Sequence, residues 1–232
     1  MSKPGFPFAR LRVLANDRRA SAAVEFAIIL PVSIALFAGS VDVYNAVIAS
    51  RKLTNITRTI ADLTSKQATS AQPTSTPTPL NAVSSDTLAA ILTSGQTLLY
   101  PASTSGLKMT LSAIDVTNKA DGNCCSVLVR WSYTLGGELR PCGTQLTPAT
   151  GSSLTVTQLP AALFPKDSTL SQPISYLIAD TSYRYVPMIR EVAGFSTAVA
   201  MSRNEFSFPR SSGQVVTSAL PASGTSHGTL CY

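Results

Sequence analysis

The sequence predicts an α+β protein: a long N-terminal helix, transmembrane and then amphipathic, followed by a linker and an antiparallel β-rich domain. Three features predict it. Residues 22–41 form an apolar run, apolar residues recur at steps of three and four from Tyr44 to Leu63, and apolar and polar residues alternate in several stretches beyond residue 97. At 232 residues the chain has room for one ordinary domain with attachments.

The first element, residues 1–20, is a basic leader. Lys3, Arg10, Arg12, Arg18 and Arg19 stand against Asp17 alone, so this segment holds +4 of the net charge of +6. Beyond it the cations are scattered, with no basic stripe interleaved with aromatics, and nucleic acid is not an expected partner. The next stretch, AAVEFAIILPVSIALFAGSV, contains one charge, Glu25. About 20 apolar residues cross a bilayer as a helix, so lipid is the expected surrounding. Pro31 bends such a helix without ending it. Cations before the run place the N-terminus in the cytoplasm and the rest outside. Charged residues make up only 13% of the chain, against ~25% in an average soluble protein, which also suits export.

Glu25 calls for a reason, because a carboxylate at the bilayer centre costs about 2.5–3.5 kcal/mol. It either snorkels to the headgroups or finds a cation. The small residues Ala38-Gly39-Ser40 admit a further reading, a secretory signal cut near Ser40 or Val41.

The string Arg18-Arg19-Ala20-Ser21-Ala22-Ala23-Val24-Glu25-Phe26-Ala27 resembles the processing segment of tight-adherence (Tad) pilins and of TadE/TadG-like pseudopilins. In that family a basic leader ends at a small residue, usually glycine, where a prepilin peptidase cuts, and the fifth mature residue is a glutamate followed by an aromatic. The resemblance implies a cut between Ala20 and Ser21, with Glu25 and Phe26 in the signature places and alanine where glycine is usual. The freed Ser21 amine would lie one helical turn from Glu25, or near that of a neighbouring subunit, so the carboxylate would specify subunit register. It also implies a pilin-like architecture and a minor pilin or pseudopilin of an adhesive (Flp, type IVc) pilus, with roles in adhesion, biofilm formation and secretion. The expected partners are prepilin peptidase, other Tad pilins and inner-membrane assembly proteins. The expected location is the inner membrane, single-pass, with a periplasmic or extracellular C-terminal domain that also enters the pilus. The alternative is an uncleaved anchor presenting a binding or secretion-accessory domain.

The helix is expected over residues 21–65, its outer half striped by Tyr44, Val47, Ile48, Leu53, Ile56, Ile60 and Leu63. Residues 66–84, with Pro73, Pro77 and Pro79, read as a linker. The domain at 85–232 opens with a short helix, capped at Ser85 and followed by Gly95. Alternation predicts strands at Leu107–Ala113, at Val127–Leu135 with Val127, Val129, Trp131, Tyr133 and Leu135 on one face, and at Tyr176–Tyr185. Asn118–Asn123 would join the first two. Ser182-Tyr183-Arg184-Tyr185-Val186-Pro187 and Phe208-Pro209-Arg210 resemble segments of TadE/TadG-like proteins, a strand ending in Tyr-x-Tyr-x-Pro and a Pro-Arg ending.

Little in the domain suggests catalysis. Its carboxylates stand singly, and there is no nucleophile elbow, zinc helix or phosphate loop. Four cysteines, Cys124, Cys125, Cys142 and Cys231, with one histidine, His227, give no zinc pattern. In an oxidising compartment they are expected to form disulfides, by any of three pairings. Neither an enzyme, a metal nor a cofactor is expected.

Overall fold

Helix α1 runs from Arg18 to Gln67 because little in these 50 residues can stop it: Pro31 is the only proline, and the apolar run is followed from Tyr44 by apolar residues at helical spacing. The structure, a computed structural model, describes residues 18–67, 85–119, 125–141, 143–149, 155–164, 174–188, 198–209 and 228–230. After α1 come α2 (Ser85–Thr97) and strands β1 (Leu107–Thr117), β2 (Ser126–Leu135), β3 (Thr147–Pro148), β4 (Gln158–Leu159), β5 (Ile174–Tyr185), β6 (Val199–Ser207) and β7 (Gly228–Leu230). A long helix followed by an antiparallel sheet makes the protein α+β, as its sequence predicts. Most of the expected linker, residues 68–84, lies outside the described residues. The chain divides into two compact units, Met1–Val47 with Val186–Thr197 and Ile48–Tyr185 with Ala198–Tyr232.

In the second unit the main sheet has the order β6-β5-β1-β2-β7, with β1 at its centre and every pair antiparallel. β3 and β4 form a separate parallel pair. On one face of the sheet, Leu107, Met109, Leu111 and Ala113 of β1 join Trp131, Tyr133, Leu177, Ala179 and Tyr183 in a core closed by helical residues. The α1 stripe supplies Leu53, Ile56 and Ile60, each with no exposed surface, and α2 supplies Leu88, Ile91 and Leu92. Here the amphipathic reading of the helix is seen as packing: each of these side chains contributes about 1.5–3 kcal/mol by leaving water.

One expectation about β2 needs correction. The register slips between Ala113 and Ile114, so that Ala113 faces Trp131 while Ile114 faces Val129, leaving Arg130 as an extra residue. A bulge reverses the sense of alternation beyond it. Val127 and Val129 therefore join a second core on the opposite face with Ile114, Val116, Leu146, Leu159 and Ile178, while Trp131 and Tyr133 stay with the helices. The predicted single apolar face of β2 is split between two cores. By contrast, Leu177, Ala179, Thr181, Tyr183 and Tyr185 of β5 do share the helix-facing side.

Polar contacts fix the helix against the sheet. The Thr57 and Thr181 hydroxyls lie 2.6 Å apart in a buried contact. Arg203 of β6 donates to the hydroxyls of Ser50 (2.9 Å) and Thr54 (3.2 Å), and Arg58 lies 3.7 Å from Glu205. Lys52 donates to the carbonyls of Leu99 and Tyr100 beyond the end of α2.

Two core tyrosines make the unit sensitive to alkali. Burial raises the pKa of Tyr133 above the ordinary 10.0, helped by the negative charge of Asp86, and burial alone raises that of Tyr183. The folded state thus disfavours tyrosinate, and the resulting stability is complete below pH 10 and is lost as pH rises through the folded values. We expect ionisation of Tyr133 and Tyr183, followed by ultraviolet absorbance, to come above pH 10 and to coincide with loss of near-ultraviolet dichroism. Ionisation of all tyrosines at the ordinary pH in a folded protein would contradict this.

Candidate functional site

The sequence directs attention to the start of α1. Ala20 and Ser21 lie within its first turn, and Glu25 follows Ser21 by four residues, about one helical turn. Every residue from Ala22 to Phe37 is exposed, including Phe26 at 64%, Leu36 at 71% and Phe37 at 72%. A helix apolar on all sides is stable only in an apolar surrounding, whether lipid or other helices. This one is long and apolar enough to cross a membrane.

Within that segment Glu25 is the single charge, exposed and in no ion pair among the described residues. Pro31 lacks the N–H that would bond the carbonyl of Ala27, the residue after Phe26. At the end of the apolar run the character changes. Asp42 is buried, and its carboxylate accepts the backbone N–H of Met188 at 2.9 Å within the first unit. That bond holds the chain just past the Tyr183–Pro187 segment, whose Tyr183 is a core residue and whose strand ends at Tyr185 as the sequence suggests.

The cysteines are only partly visible. Cys125, before β2, packs half-buried against the second core and carries no free thiol. Cys124, Cys142, Cys231, His227 and Arg210 lie outside the described residues. No cluster of three or more potential metal-ligating side chains occurs among the described residues.

A feature with no sequence signal lies on the sheet face away from the helices. Arg140, 3% exposed, donates through Nε (3.1 Å) and Nη2 (2.8 Å) to Oδ2 of Asp180, and through Nη1 to the carbonyls of Val156 (3.1 Å) and Gln158 (3.3 Å). Asp180 also accepts from Asn204 of β6. This network floors a cavity of about 230 Å³. Its charged residues are forty positions apart in the chain and are brought together only by the sheet.

Comparison with known proteins bears on α1. No curated protein and no solved structure matches the chain. Residues 20–62 match the family described as TadE-like protein. The matched segment begins at Ala20, includes Ser21, Glu25 and Phe26, and ends within the stripe that packs on the sheet, before the segments at 182–187 and 208–210. Residues 20–62 are therefore similar to a TadE-like protein, which is consistent with a TadE-like protein of a Tad pilus system.

Proposed function

We propose that the chain is a minor pilin or pseudopilin taking part in assembly of a Tad-type pilus, processed by prepilin peptidase between Ala20 and Ser21. The observation that carries this reading is the coincidence of the TadE-like segment with a helix exposed and apolar on all sides around one carboxylate. In this reading the helix sits in the inner membrane with its N-terminus cytoplasmic, then leaves the bilayer to pack among the helices of other Tad pilins. Cleavage removes the +4 leader and frees a cation on Ser21. That cation offsets the cost of Glu25 in the bilayer or fibre, and only a correctly staggered neighbour satisfies both charges. The second unit, exposed outside the membrane, confers specificity in adhesion. We also read its cysteines as disulfides, which the absence of a free thiol at Cys125 supports.

A second reading, the uncleaved single-pass anchor, is favoured by one residue: alanine at position 20. N-terminal sequencing of the mature protein decides between them. A new end at Ser21 supports the pilin, retention of residues 1–20 the anchor, and an end near Ser40 or Val41 a secreted protein. Glu25→Ala is expected to preserve membrane insertion and cleavage while abolishing incorporation into filaments, measured by immunoblotting sheared pili against the membrane fraction. Normal incorporation of that variant would remove the register role from Glu25.

A further inference from the structure

The cavity floored by Arg140 and Asp180 is equipped for a ligand. Its floor is rigid: the Arg140 side chain is 4% exposed and its guanidinium is held by a carboxylate and two carbonyls. Beside it, the Thr110 hydroxyl is held between that of Thr134 (2.9 Å) and the carbonyl of Glu138 (3.0 Å). The groups around the rim differ in being unengaged. Lys108 and Glu138 are both exposed, and neither enters an ion pair among the described residues. Ser182 and Ser202 stand opposite each other in the β5–β6 register, and their hydroxyls have no partner among the described residues.

From this juxtaposition of a satisfied charged floor with an open rim of ammonium, carboxylate and two hydroxyls, we infer that the cavity binds one neutral, hydroxyl-rich ring: a single sugar residue of a glycan. Charge selects neutrality. Lys108 and Arg140 are balanced by Glu138 and Asp180, so an anion meets two carboxylates and a cation meets two basic groups, while a neutral ring meets no like charge. Hydrogen-bond character selects hydroxyls. Lys108 only donates, Glu138 only accepts and serine does both, so groups that both donate and accept satisfy all of them. The cavity is smaller than the ~300–1,000 Å³ typical of drug-sized sites, which fits one ring and excludes a nucleotide. The side chain of Val156 and the threonine methyl groups offer apolar contact for ring C–H groups.

The test uses the full chain in lipid nanodiscs and does not depend on filament assembly, so it stands or falls separately from the pilin reading. Saturation-transfer NMR with the methyl α-pyranosides of glucose, galactose and mannose is expected to show transfer from at least one, with glucuronate and glucosamine binding more weakly. Lys108→Ala and Glu138→Ala are each expected to weaken binding about 10-fold, the loss of one charged hydrogen bond. Both positions are exposed, so the thermal midpoint should hold; Ser202→Ala, which removes one hydroxyl, serves if either shifts it. The proposal is overturned by absence of transfer from all three glycosides, by tighter binding of either charged sugar, or by binding that these substitutions leave unchanged.

Discussion

Trp131→Ala is expected to cost about 3–5 kcal/mol of stability, enough to unfold a large fraction of a domain whose total is ~5–15 kcal/mol. Trp131 is 1% exposed and faces Ala113 across the β1–β2 pair and Leu230 across the β2–β7 pair. Its cross-strand partner Ala113 is small and both belong to the same core, so truncation of the indole leaves a cavity there. It also lies next to the bulge, at the last helix-facing position of β2 before the faces exchange. Thermal unfolding and limited proteolysis of the purified chain measure the effect. A loss below about 1 kcal/mol would mean that the helix-facing core is not the chief support of the unit.

The second large effect is expected at Asp180. Asp180→Ala strands the Arg140 guanidinium with two carbonyls and no counter-charge, and removing one partner of a buried pair costs about 3–5 kcal/mol. Replacing both together, Arg140→Met with Asp180→Leu, is expected to recover most of that loss, because well-packed apolar side chains often equal a buried ion pair. Denaturant unfolding of Arg140→Met, Asp180→Leu and the double variant gives the coupling. If the double variant falls as far as Asp180→Ala, the cost lies in lost packing and not in the stranded charge.

The features legible in the sequence are those that a local pattern determines. The apolar run from Ala22 needs no tertiary contact to declare itself, and the Leu53, Ile56 and Ile60 stripe follows from helical period alone. β1 and β5 read correctly because their helix-facing residues keep a period of two across the core. β2 misleads because one extra residue, Arg130, is invisible to an alternation count yet exchanges the faces. β6 escapes notice for a different reason. Its helix-facing side mixes Met201, which packs on the core, with Arg203 and Glu205, which answer polar groups of α1, so the strand shows no continuous apolar side in isolation. β3, β4 and β7 are too short to carry a period. Of the candidate site, Glu25 announces itself as a charge in an apolar run. Arg140 and Asp180 meet only after the sheet has formed, and nothing in their local sequence foretells it.

The central position of β1 has a consequence for timing. Its partner β2 follows closely, but its other partner, β5, begins only at Ile174. In the proposed topology the N-terminus stays cytoplasmic and the domain crosses from its α1 side onward, so one edge of β1 and part of the apolar stripe of α1 wait uncovered until Ile174–Tyr185 has crossed. Closing contacts so distant in sequence is slow. The step most exposed to misassembly is therefore arrival of β5, after which a nascent, sticky chain becomes a subunit fit to meet its neighbours.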